Sequence, residues 1–148
     1  PLVMRGRGER LAPISESARE RLAGRELVLF KPSFSIGTAW AYRALSSASG
    51  AYDSKEWAEG RLRAWEAGQL SLEALLHNSF QKPSFRKFRA FPALFEQAES
   101  KKLACLMSGS GRCCFALVRS GFEAESMVSR VKRAWGGRCF VARARVVG

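Results

Sequence analysis

A short glycine-rich segment is the strongest candidate for chemistry in this chain. Two apolar runs are joined by Ser108, Gly109, Ser110 and Gly111, and Arg112 follows. Glycine permits positive φ and lets a ligand approach the peptide N–H groups closely. Consecutive N–H groups in such a turn can bind an anion, and the arginine would add a fixed positive charge. Residues 108–111, called the glycine loop below, therefore predict either a phosphate-binding loop or a plain hairpin turn, although the P-loop pattern G-x-x-x-x-G-K-[ST] is absent.

A second candidate lies where a predicted strand passes into a helix. Residues 31–42 read Lys-Pro-Ser-Phe-Ser-Ile-Gly-Thr-Ala-Trp-Ala-Tyr, and Thr38 can cap the helix. The N–H groups of a first helical turn favour anions, and Tyr42 follows Thr38 by one turn on the same face. A hydroxyl beside an aromatic ring could hold a ligand with a planar base. The alternative is an ordinary loop followed by a core tyrosine.

Acid–base and metal chemistry have few candidates in the sequence. Asp53 is the only aspartate and His77 the only histidine. No C-x-x-C pair is present, and only His77 could add a nitrogen ligand, so we expect no zinc site and no other metal site. One Asp, one His and scattered Glu also fit few common enzyme mechanisms, so no catalytic residue is expected in this chain. The cysteines lie in apolar stretches, which predicts small buried thiols in a reducing, cytoplasmic environment; they are Cys105, Cys113, Cys114 and Cys139.

The apolar pattern predicts an α+β fold. Strands are expected at residues 27–30, 103–107, 113–118 and 139–142, and the third of them is predicted to be fully buried. An enlarged helical region separates the first two strands, and a helix with one apolar face precedes the last. From residue 26 onward the order β-α-β-β-α-β is that of a ferredoxin-like fold, with an antiparallel sheet and helices on one face.

Local signals divide the remaining chain into helices and connections. Residues 1–14 look extended, and the charged residues 15–25 are predicted to form a solvated connection. Pro92 is expected to bend or divide the last helix of the enlarged region. Helix starts are predicted at four residues with side chains suited to N-caps: Thr38, Ser54, Ser71 and Ser84.

Composition limits the class of protein. The chain has 148 residues, of which 47% are hydrophobic, and a net charge of +12. These values suit one domain with a core and exclude a disordered chain. No apolar run approaches the ~18 residues of a membrane-spanning helix, so no membrane partner is expected. The positive charge favours anionic partners such as nucleic acids or phosphorylated small molecules.

Three separated segments resemble the C-terminal half of the 4-diphosphocytidyl-2-C-methyl-D-erythritol kinase family, within the GHMP kinase superfamily. Residues 5–13 contain Arg-Gly-Arg-Gly-Glu-x-Leu-x-Pro, similar to the family's GRGE-x-L-x-P. Residues 32–42 read P-x-x-S-x-x-T-x-x-x-Y, similar to its P-x-x-x-(S/V)-x-x-T-x-x-x-(Y/F) but one residue shorter after the proline. Residues 108–116 are similar to the superfamily's S/T-G-S/T-G-A-x-V-F-A. The order agrees along nearly the whole chain, and so does the spacing apart from that one residue.

The resemblance implies a domain of an ATP-dependent kinase that phosphorylates a hydroxyl of a CDP-linked methylerythritol in isoprenoid precursor synthesis. In this family the aromatic side chain at the position of Tyr42 stacks on the cytosine. The position of Thr38 lines the same pocket, and the loop at Gly109 and Gly111 closes on the phosphates. Arg112 stands where the family usually has alanine, and would either bind diphosphate or crowd the loop.

The catalytic half of the family pattern is missing. Its ATP and Mg²⁺ site and its catalytic Lys and Asp belong to an N-terminal domain, and none of these motifs is present. The resemblance implies that residues 1–25 are the end of that domain and a linker, and that residues 26–148 are the C-terminal domain, inactive alone. Asp53 is predicted to be a capping or surface residue. Residues 78–81 only loosely resemble the family's N-D-hydrophobic-E segment, and no role is assigned to them.

Two other functions stay open. Because ferredoxin-like sheets often bind RNA, the main alternative is a basic RNA-binding module. Such a module places exposed aromatic residues within an RNP-type strand, whereas Phe115 lies in the apolar run Cys-Cys-Phe-Ala-Leu-Val. Nucleic acid is therefore not the expected partner. The second alternative is a stand-alone regulatory domain for amino acids or nucleotides.

Overall fold

The computed structural model describes residues 1–6, 8–47, 52–111 and 113–147. The strands within these residues are β1 (Leu2–Arg5), β2 (Arg10–Pro13), β3 (Glu26–Lys31), β4 (Cys105–Ser108), β5 (Cys113–Val118) and β6 (Phe140–Arg145). The helices are α1 (Glu16–Leu22), α2 (Thr38–Ser46), α3 (Lys55–Glu66), α4 (Leu72–Leu75), α5 (Gln81–Lys87), α6 (Ala90–Glu99) and α7 (Gly121–Trp135).

The main sheet has the predicted ferredoxin-like topology. Its four strands lie in the order β4-β5-β3-β6, and every neighbouring pair is antiparallel. Val28 on the central strand β3 pairs with Ala116 on β5 and with Arg143 on β6. Helices α2 to α6 fill the enlarged connection between β3 and β4, and α7 connects β5 to β6. The predicted α+β arrangement is therefore confirmed.

The core lies between one face of this sheet and the helices α6 and α7, which contact it. The ring of Phe30 packs 5.5 Å from that of Trp135 and 6.4 Å from that of Phe95. Strand β5 alternates between buried and half-buried residues, so the prediction of a fully buried strand was wrong. The physical reason is that the described helices that contact the sheet cover the face of Cys114, and Phe115 points to the opposite face.

The first 25 residues contain more structure than the sequence predicted. Strands β1 and β2 pair as an antiparallel hairpin, as expected for an extended segment. The predicted solvated connection at residues 15–25 was wrong, because α1 forms there with Ser15 as its N-cap. Arg21 donates to the carbonyls of Trp65 and Glu66 at 2.7 and 3.1 Å, and this contact docks α1 on α3. This charged segment thus forms a helix because the guanidinium of Arg21 finds hydrogen-bond acceptors on α3.

Two of the four predicted N-caps are confirmed. The hydroxyls of Ser54 and Ser71 accept hydrogen bonds from the third residues of α3 and α4. Thr38 is instead the first residue of α2, and the cap position is taken by Gly37. Ser84 is also not a cap but a fully buried residue inside α5.

The predicted division near Pro92 is confirmed, although it lies before the proline. Helix α5 ends with Phe88 as its C-cap, and α6 begins at Ala90. A proline ring clashes with the carbonyl four residues earlier, which here belongs to Phe88. Pro92 itself sits in the first turn of α6, where a missing N–H is tolerated.

None of the helices in the described residues is both long and apolar enough to cross a membrane.

Candidate functional site

The glycine loop connects β4 to β5 through a tight turn with two residues in positive φ. Gly109 has φ +55° and Gly111 has φ +107°. The N–H of Gly111 donates to the carbonyl of Ser108 at 3.2 Å, which closes the turn. Two glycines are needed because other residues rarely adopt these angles. Arg112, which was predicted to add positive charge to the loop, lies outside the described residues.

The start of α2 contacts the glycine loop. The two segments that the sequence singled out therefore lie next to each other in the structure. The hydroxyl oxygens of Thr38 and Ser110 are 3.3 Å apart, a hydrogen-bond distance, although 72 residues separate them. The side chain of Thr38 can make this contact because it does not cap its own helix. Two hydroxyls, a helix N-terminus and the backbone of the loop thus lie together, and donors of this kind suit phosphate oxygens.

Tyr42 lies one turn after Thr38, with its side chain in solvent. Its exposed fraction is 55%, so the alternative of a core tyrosine was wrong. The ring makes an edge contact with Phe80, with centroids 5.0 Å apart and planes at 78°. The exposed ring is suited to stacking on a planar group.

Two amide side chains hydrogen-bond to strand β4 and the glycine loop, and no role was predicted for them. The side-chain nitrogen of Asn78 donates to the carbonyls of Met107 and Gly109, and Oε1 of Gln81 accepts from the N–H of Met107. Residues 78–81 occupy the place of the segment that only loosely resembled a family motif. That position was the one signal in the sequence that pointed to them.

Asp53 belongs to a separate polar cluster at the surface. Its carboxylate accepts from the hydroxyl of Ser79 at 2.7 Å and contacts Nε2 of His77 at 2.6 Å. The hydrogen bond from Ser79, followed by that from His77, lowers the pKa of Asp53 below its ordinary value. Asp53 is a surface residue, as predicted, but Ser54 rather than Asp53 caps the following helix.

Replacing Asp53 by asparagine is expected to lower the free energy of unfolding by no more than about 1 kcal/mol, because the cluster is solvent-exposed. Since the pKa is lower in the folded state, the carboxylate contributes fully above its unfolded pKa and loses this contribution as the pH falls through the folded value. Urea unfolding of both proteins should therefore show a difference at neutral pH that shrinks as the pH falls below the unfolded pKa of about 3.9. A difference that grows on acidification would contradict the assignment.

The cysteines form no disulfide, and two of them are strongly held as thiols. Burial raises the pKa of Cys105 to about 12, and it raises that of Cys114 further. Cys114 is fully buried as predicted, whereas Cys105, Cys113 and Cys139 are half-buried. Cys105 and Cys114 are therefore unsuited to act as nucleophiles at neutral pH.

Metal ligands are not grouped in the part of the chain that the structure describes. No three His, Cys, Asp or Glu side chains there lie close enough together to hold a metal ion.

A cavity of about 1020 Å³ lies on the face of α2 that carries Trp40 and Ala44, with Lys82 and Arg86 in its lining. Its lining also includes Asn78 and Gln81, the two amide residues that contact β4 and the glycine loop.

The comparisons with known proteins identify the family. The model described as "GHMP kinases C terminal" matches residues 58–137, more than half of the chain. The chain therefore belongs to the GHMP kinase C-terminal family, and the resemblance found in its three segments is confirmed.

Two relatives make the similarity more specific. The 4-diphosphocytidyl-2-C-methyl-D-erythritol kinase of Nitratidesulfovibrio vulgaris (strain DP4) is 31% identical over 140 residues, which cover 89% of this chain and 45% of that enzyme. The enzyme of the same name from Caulobacter vibrioides (strain NA1000 / CB15N) is 30% identical over 152 residues, with 93% and 48% covered. The chain thus spans about half the length of the curated relatives it matches.

Solved structures agree with this assignment. A crystal structure of 4-(cytidine 5'-diphospho)-2C-methyl-D-erythritol kinase matches 98% of this chain and 50% of its own, with a TM-score of 0.68 and 28% identity. A homoserine kinase from Cytophaga hutchinsonii has a TM-score of 0.71 at 18% identity, with 98% and 48% covered. The second similarity concerns the fold alone.

Proposed function

We propose that this chain is the C-terminal, substrate-binding domain of an ATP-dependent kinase that phosphorylates a hydroxyl of CDP-linked methylerythritol, in the cytoplasmic pathway to isoprenoid precursors. Residues 26–148 form this domain, and residues 1–25 end a preceding kinase domain and link the two. The proposal is carried by the meeting of Thr38 and Ser110 at 3.3 Å. These two residues come from separate segments, and each segment resembles the same kinase family.

Each part of the site has a role in this proposal. Tyr42 stacks on the cytosine, because its ring is exposed and fixed at its edge. Thr38 donates a hydrogen bond within the same pocket. Ser108, Gly109, Ser110 and Gly111, with Arg112, close on the phosphates and offer hydroxyl and backbone donors.

ATP and Mg²⁺ are assigned mainly to the N-terminal kinase domain. The described residues provide no grouped ligands for a metal ion. Phosphoryl transfer depends on positioning the hydroxyl against metal-bound phosphates, and this chain provides the substrate side of that arrangement. The 148-residue chain alone is therefore expected to show no turnover with Mg-ATP.

The test is a titration of the ¹⁵N-labelled chain with cytidine 5'-diphosphate, followed by amide NMR. Shifts confined to α2 and the glycine loop are expected, and inorganic diphosphate alone should move only the loop. Absence of shifts at both segments at millimolar ligand would contradict the proposal. Tight binding of an RNA oligonucleotide with a steep salt dependence would instead support the RNA-binding alternative.

A further inference from the structure

The glycine loop follows strand β4, which lies at the outer edge of the main sheet. Inside a sheet, a second neighbouring strand would hydrogen-bond to the free backbone groups of such a strand. Strand β4 is an edge strand, so one side of it has no strand neighbour. On that side Gln81 accepts from the N–H of Met107 at 2.9 Å, and Asn78 donates to the carbonyl of the same residue. Met107 is fully buried, so its backbone groups need these partners. The two amide side chains thus replace a missing strand.

Asn78 hydrogen-bonds to the turn of the glycine loop as well as to β4. Its side-chain nitrogen donates to the carbonyl of Gly109 at 2.9 Å, and its side-chain oxygen accepts from the N–H of Phe80 at 2.9 Å. These three hydrogen bonds therefore identify which end of the side-chain amide is the nitrogen. Both N–H bonds of the amide are used, and both hold carbonyls of the segment that forms the loop.

Fixing the carbonyl of Gly109 also fixes the next N–H. The described chain has no cis peptide bonds, and in a planar trans peptide the C=O and the following N–H point in opposite directions. The carbonyl of Gly109 points to Asn78, so the N–H of Ser110 points away from Asn78. The hydroxyl of Ser110 meets Thr38. The amide of Asn78 thus determines which face of the loop presents a backbone donor.

We propose that Asn78 is a positioning residue, which orients the Gly109–Ser110 peptide so that the N–H of Ser110 donates to a phosphate group of the bound substrate. This inference rests on the proposed function, since the phosphate is that of the cytidine diphosphate moiety. Gln81 stabilises the strand but does not orient the loop, because its side-chain hydrogen bond within the described residues is to the N–H of Met107.

Two isosteric substitutions in the chain separate these roles. Asn78→Asp replaces the donating nitrogen by a negatively charged oxygen facing two carbonyls, so we expect affinity for cytidine 5'-diphosphate to fall about tenfold or more. Gln81→Glu adds the same charge but keeps the accepting oxygen, and affinity is expected to change less than about twofold. Ser79→Ala is the neighbouring control, because Ser79 contacts Asp53 and not the loop.

The orientation itself is measured by the N–H residual dipolar coupling of Ser110, without ligand. It should change in Asn78→Asp and in the milder Asn78→Ala, while couplings in β3 and β5 stay the same; Asn78→Ala supplies both readouts if Asn78→Asp does not fold. An unchanged coupling, or equal affinities of wild type and Asn78→Ala, would overturn the inference. If wild type binds no cytidine 5'-diphosphate, the proposed function fails instead, and an altered coupling then still supports the orienting role.

Discussion

Replacing Gly111 by alanine is expected to lower the free energy of unfolding by about 2–4 kcal/mol. Gly111 has φ +107°, which an L side chain rarely adopts. A Cβ atom there would also lie 2.9 Å from Cδ1 of Ile36 and 2.9 Å from Sδ of Met107. Both side chains are almost fully buried and have little room to move. Strain and overpacking therefore act together at this position.

Gly109→Ala is the matched control for this prediction. Gly109 has φ +55°, but nothing lies within 4 Å of an added Cβ, so we expect a cost of only about 1 kcal/mol. Chemical denaturation of both variants, with the slope compared to that of wild type, provides the measurement. Equal losses for the two substitutions would show that contact with Ile36 and Met107 contributes nothing.

Replacing Tyr42 by alanine is expected to weaken binding of cytidine 5'-diphosphate by about 1–3 kcal/mol, the range for a base stacked on an aromatic side chain. The ring is 55% exposed, so its removal should leave the fold nearly unaffected. Isothermal titration of the chain measures the affinity, and thermal unfolding monitors the stability. A loss of stability without a loss of affinity would exclude Tyr42 from the binding site.

Two further variants make the Tyr42 experiment specific. Tyr42→Phe keeps the ring and should retain most of the affinity, because stacking does not need the hydroxyl. Tyr52→Ala removes the other tyrosine of the chain, which is also exposed, at 61%. Its affinity should equal that of wild type. An equal loss in Tyr52→Ala and Tyr42→Ala would point to a general effect on the protein instead of stacking.

Much of the fold was predictable because its signals are local. Strand β5 and helix α7 follow from an apolar run and from an apolar face at helical spacing. Ser54 and Ser71 cap their helices as their side chains favour. The order of these elements then restricts the sheet to few arrangements, so the ferredoxin-like topology also followed.

Two of the failed predictions share one cause, which is that a distant partner decided the local structure. Residues 15–25 look like a solvated connection until Arg21 meets the carbonyls of α3. Thr38 looks like a helix cap, but its hydroxyl contacts Ser110 across 72 residues. A side chain that can bond to its own backbone or to a remote group has no local signal for the choice.

The sequence by itself determined the residue types of the candidate site and the family to which they belong. The glycines of the loop and the tyrosine at helical spacing from Thr38 were readable without coordinates, because backbone freedom and helical periodicity are local properties. That this tyrosine is exposed came from the structure. Only the tertiary structure decided which groups hold the loop. Asn78 reaches Met107 and Gly109 across 29 and 31 residues, and its role exists because β4 is an edge strand whose buried backbone needs partners from elsewhere in the chain.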